Sequence, residues 1–74
     1  MPNHRDKTDY FYKIHVGYSR GGGYFVYYRT PMEHSLHNVA KYAVRDGDLH
    51  QSFLHMVDSV VRVTPEEYFE HMWE

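Results

Sequence analysis

The chain contains no cysteine. That excludes a disulfide framework, a thiolate nucleophile and any zinc site that relies on thiolates. It suits a reducing compartment, and a cytoplasmic location is the expectation. No apolar run approaches the roughly 20 residues that a membrane-spanning helix needs. The start, M-P-N-H-R-D-K-T-D, lacks the apolar core of a signal peptide. A strong basic excess is also missing: the formal net charge is −2, which argues against a nucleic-acid binder that works by bulk charge. No G-x-S-x-G elbow and no H-E-x-x-H pair occurs.

What is present begins with aromatics. Eight tyrosines among 74 residues are many for one small domain and argue against a disordered chain. Residues 1–9 read as a flexible N-terminal segment, and residues 10–74 as a single compact domain. Charge divides unevenly along the chain. Residues 1–31 hold five Lys/Arg against two Asp, and residues 32–74 hold three against eight Asp/Glu. A charge division of this kind suits two surfaces that meet different partners, or plain solvated surface.

Tyr10, Tyr12, Ile14, Val16 and Tyr18 alternate with Phe11, Lys13, His15 and Gly17, the period of a half-buried strand. Tyr24 to Thr30 is a second run of β-forming residues. Between them lies S-R-G-G-G, residues 19–23. Its glycines lead into a strand rather than a helix, so they lack the context of a phosphate-binding loop and read as a hairpin turn. The expected register pairs Tyr18 with Tyr24, Val16 with Val26, Ile14 with Tyr28 and Tyr12 with Thr30.

T-P-M-E, residues 30–33, predicts a helix start: Thr30 as cap, Pro31 in the first position and Glu33 closing a capping box. Leu36, Val39, Ala40, Ala43 and Val44 supply its apolar stripe, and Gly47 its C-terminal cap. Asp48–Met56 fits a short helix capped by Asp48 or an ordered loop. Asp58–Val63, with Val60, Val61 and Val63, predicts a third strand. T-P-E-E, residues 64–67, repeats the start signal for a final helix with Tyr68, Phe69, Met72 and Trp73 on its apolar side. The fold class is therefore α+β: a small three-stranded antiparallel sheet in β-β-α-β-α order, packed against helices.

In the hairpin, the even-numbered face is expected to meet the first helix. The other face carries Phe11, Lys13, His15, Phe25, Tyr27 and Arg29, with Arg20 in the adjoining loop. Aromatic and basic residues together suit a protein interface or stacking on nucleic-acid bases. The same face could instead pack beneath the final helix with Trp73. Phe25, Tyr27, Arg29, Lys13, His15 and Arg20 are the candidate partner-binding set for a non-enzymatic adaptor, regulator or inhibitor whose main partner is another protein. Single-stranded nucleic acid is the alternative partner, and a homodimer pairing the basic sheet face with the acidic helix face is compatible with the charge division. No membrane, cofactor, metal or catalytic residue is expected. Among seven histidines, His34 and His37, three apart, are the best placed for a metal, but their spacing matches no established ligand motif.

Overall fold

The computed structural model describes residues 9–72. Trp73 and residues 1–8 of the expected N-terminal segment lie outside the described residues. Strand β1 spans Tyr10–Gly17 and β2 spans Gly23–Thr30. Helix α1 covers Leu36–Asp46, a 3-10 helix covers Gln51–Met56, strand β3 covers Val57–Val63 and helix α2 covers Pro65–Met72. The sheet is antiparallel with strand order β2-β1-β3, so the most apolar alternating segment lies at its centre. Among the described residues no helix is long and apolar enough to cross a membrane.

The even-numbered face meets α1 as its alternation predicts. Tyr12, Ile14, Val16 and Tyr28 bury against Val39, Ala40 and Ala43, with Leu49 closing one side. Burying a side chain such as Ile14 or Val39 stabilises the fold by roughly 1.5–3 kcal/mol. That matters in a chain whose whole stability is of the order of 4–11 kcal/mol at the usual value per residue.

The hairpin register differs from expectation by two residues. Tyr12 pairs with Tyr28, Ile14 with Val26, Val16 with Tyr24 and Gly17 with Gly23. A shift of two keeps every side chain on its face, so hydrophobic alternation alone cannot fix it. The loop decides it. Its five residues are 18–22, one step earlier than S-R-G-G-G suggests. The Tyr18 N–H donates to the Gly22 carbonyl at 3.2 Å, and the Gly21 N–H donates to the Tyr18 carbonyl at 3.0 Å. Gly23 belongs to β2, at φ 148° and so close to the Val16 carbonyl that a Cβ would lie 2.2 Å from it.

The start of α1 also differs. Thr30 is the buried last residue of β2, paired with Tyr10, and Pro31 and Glu33 precede the helix rather than open it. The Thr30 hydroxyl accepts from the Met32 N–H at 3.3 Å, a local turn in place of a cap. The connecting segment is anchored elsewhere: the Tyr12 hydroxyl accepts from the His34 N–H at 3.2 Å. Ser35 holds the cap position without a side-chain cap bond. At the other end, Gly47 caps as expected, in the left-handed region at φ 90°. Its N–H donates to the Val44 carbonyl and the Asp48 N–H to the Ala43 carbonyl, the paired bonds of a Schellman motif.

Asp48–Met56 resolves into the short helix rather than a loop, but its cap is His50. The imidazole Nδ1 accepts from the Ser52 N–H at 3.1 Å. The second start signal operates as written only in part. The Thr64 hydroxyl accepts from the Glu67 N–H at 3.1 Å, whereas the Glu67 carboxylate, expected to close the capping box, turns to Lys13 and Tyr27.

Candidate functional site

Strand pairing arranges the second face of the sheet in three rows. Arg29, Phe11 and Val63 form one; Tyr27, Lys13 and Val61 the next; Phe25, His15 and Ser59 the third. Helix α2 follows β3 and crosses the first two rows toward β2. Phe11 is only 5% exposed beneath it, its ring 4.8 Å from Tyr68 and 5.7 Å from Phe69. His71 stacks on Tyr27 at 4.1 Å, and Glu67 Oε2 accepts from Lys13 Nζ at 3.2 Å and from the Tyr27 hydroxyl at 3.3 Å. The final helix therefore covers one end of this face, as the second of the two sequence readings has it.

The third row is left open. Phe25 is 49% exposed, and Val61 at the neighbouring edge is 44% exposed. Lys13 Nζ lies 4.7 Å from the Phe25 ring centroid, and the His15 ring lies 4.8 Å from it on the same strand pair. His15 is itself held: its Nδ1 is 2.6 Å from Asp58 Oδ1. Asp58 reaches this face because it is the extra residue of a β-bulge, β3 pairing Ser59 with His15 and Val57 with Val16. Its carboxylate rests against Gly17, where a Cβ would lie 2.3 Å from Oδ2.

Of the six candidate residues, Phe25, His15 and Lys13 come together here. Arg20 stands apart in the exposed loop. Tyr27 is half-buried under α2. Arg29 is exposed at the far row, where its Nε bonds Asp9 Oδ2 at 2.6 Å and its guanidinium lies over the rings of Phe11 and Phe69. The charge division along the sequence is thus partly internal to the molecule. Lys13 and His15, from the basic first half, contact Glu67 and Asp58, from the acidic second half.

Sequence reasoning missed Val61, Asp58 and Glu67 as part of this surface. Val61 was legible from its odd position in β3. Asp58 was not, because an ideal strand would put it on the opposite face from Ser59 and Val61.

Among the described residues the histidines do not converge. His34 stacks on Tyr42 at 3.9 Å, and His37 lies exposed on α1. Among the described residues no group of three His, Cys, Asp or Glu could hold a metal ion. Among the described residues, three groups near the end of α1 have displaced proton affinities. Burial and the hydrogen bond to Asp46 push the Tyr28 hydroxyl up to about 12. The same hydrogen bond, with help from Arg45, holds Asp46 below the ordinary carboxylate value. Partial burial and the nearby Asp46 raise Asp48. None of the three lies on the open row.

No protein-family model, curated protein or solved structure matches the chain.

Proposed function

We propose that this chain is a small non-enzymatic binding protein, an adaptor, regulator or inhibitor, that engages another protein through the open row of its sheet. The observation that supports it is Phe25: a large aromatic ring, half exposed, on a rigid strand, framed by Lys13 and His15. Aromatic side chains on rigid elements, ringed by polar groups, are the usual anchors of protein interfaces.

A protein partner fits better than single-stranded nucleic acid. A nucleic-acid groove pairs its stacking aromatics with cations directed at phosphates. Here Lys13 and Arg29 are engaged by Glu67 and Asp9, and the Asp58 carboxylate sits beside His15 on the same row. Those carboxylates would repel a phosphate backbone.

The test compares immobilised wild type with Phe25→Glu in extracts of the native host, identifying captured proteins and nucleic acids separately. Unchanged far-ultraviolet circular dichroism establishes that the variant is folded. A protein retained by wild type and lost on the variant is the expected result. Capture of nucleic acid instead, lost on the variant and weakening with salt, replaces the protein partner. No species distinguishing the two proteins overturns the assignment of Phe25.

A further inference from the structure

A second surface lies at the outer edge of β3, on the side of the sheet that carries α1. A groove of about 450 Å³ runs there, walled by Leu36, Ala40 and Lys41 of α1 and by Leu54, Val57 and Val60. Its apolar residues include Leu36, 46% exposed at the first position of the helix. Among the described residues the strand beside it has β1 on one side only, so its outer backbone N–H and C=O groups have no strand partner there. Edge strands are commonly protected by charges along their length. The two charged residues of β3 are turned to their own chain: Asp58 pairs with His15, while Arg62 pairs with Glu33 and lies over the Tyr10 ring. The central Ser59–Val60–Val61 carries no charge.

We infer that this edge takes up an extended peptide segment of another protein, which adds as a fourth strand beside β3 with an acidic side chain directed at Lys41. The argument has three parts. Strand addition supplies main-chain hydrogen bonds, and alternate side chains supply specificity. One set of alternate side chains would enter the groove between α1 and β3, and the other would cover Val61, which α2 leaves exposed. The charge preference follows from the rim. Lys41 is exposed and has no ion pair among the described residues, with His37 one helical turn before it; the one acidic residue lining the groove, Asp58, turns its carboxylate to His15 on the other face of the sheet. The two surfaces meet at Val61, but Phe25 lies on the other face of the sheet from the groove and at the opposite edge.

The experiment pans a phage-displayed library of random heptapeptides, about the length of β3, on wild type, Lys41→Glu and Leu36→Ala in parallel. Wild type should enrich sequences that alternate apolar residues and carry an acidic residue on the apolar side. Lys41→Glu should enrich basic residues at that position. Leu36→Ala, which retains the helix, should bind the wild-type selected peptide about tenfold more weakly. Hydrogen exchange should slow across residues 57–63 when that peptide is bound. No enrichment on wild type overturns the proposal, as does enrichment of the same sequences on all three proteins. Slowed exchange confined to β2 also overturns it. So does light scattering that shows a dimer whose formation protects the β3 amides, since a second copy then occupies the edge.

Discussion

The Tyr28 hydroxyl donates a 2.5 Å hydrogen bond to Asp46 Oδ2 and ties the middle of β2 to the last residue of α1. A carboxylate is poorly placed at a helix C-terminus, where the helix dipole is negative. The Tyr28 hydroxyl and the Arg45 guanidinium, whose Nε is 3.2 Å from Asp46 Oδ1, offset that position.

The signs of the two displaced proton affinities predict how this tie responds to pH. Asp46 is held below its ordinary value of 3.8, so its contribution is present above that pH and is lost as pH falls through the lower folded value. Tyr28 is raised from 10.0 to about 12, so its contribution is complete below pH 10 and is lost between there and about 12. Tyr28→Phe removes both contributions. The difference in urea midpoint between wild type and Tyr28→Phe should therefore be widest from pH 5 to 9 and narrow in acid and in alkali. A difference that stays constant across the range would mean that the hydroxyl does not bond a titrating partner.

The two Thr-Pro starts predict unequal responses to substitution. Thr64→Ala removes a cap bond to the Glu67 N–H and should cost about 0.5–2 kcal/mol, with faster hydrogen exchange at that amide. Ser35→Ala at the head of α1 removes no cap bond and should stay within about 0.5 kcal/mol. Equal losses in urea unfolding would put a cap bond at Ser35 as well.

This pair also marks how far the sequence could be read. T-P-M-E and T-P-E-E are near-identical locally, and local chemistry offers both as helix starts. What separates them is position in the sheet. Thr30 is claimed by β2 through its pairing with Tyr10, while Thr64 follows the last paired residue of β3, Val63. The order of elements, the faces of the hairpin and the Gly47 cap were legible because each rests on a short-range period or a single special backbone position. Register was not, since a two-residue slip preserves both faces. The open row was legible in Phe25 and His15, with Lys13 in the row beside it. Its acidic members depended on a bulge at Asp58 and on the path of α2, both products of tertiary packing.

Gly23 should be the least replaceable residue of the hairpin loop region. Gly22, at φ 79°, faces open space, and Gly22→Ala carries only the cost of a left-handed backbone, about 1 kcal/mol or slightly more. Gly23→Ala adds a Cβ at 2.2 Å from the Val16 carbonyl and 3.0 Å from His15 Nε2. It should cost more than Gly22→Ala and displace the His15 ring, read as a change in the His15 and Phe25 side-chain NMR signals. Equal costs with unmoved signals would place Gly23 in the loop rather than in β2.

What holds α2 against the sheet determines how much of the second face a partner can reach. Two forces are present, the Lys13–Glu67 ion pair and the seating of Phe11 against Tyr68 and Phe69. The ion pair is partly exposed on both sides, and such pairs contribute about 0–1 kcal/mol and weaken with salt. Replacing a buried phenylalanine by alanine costs about 3–5 kcal/mol. Glu67→Gln should therefore leave α2 docked, with its stability loss under about 1 kcal/mol and absent at high salt. Phe11→Ala should release the helix in addition to weakening the core, read as rapid amide exchange from Glu66 to Met72 in protein that retains its sheet. If Glu67→Gln frees the helix and Phe11→Ala does not, the cover over Tyr27 is held by charge. The area open to a partner would then vary with ionic strength instead of being limited to the row of Phe25, His15 and Ser59.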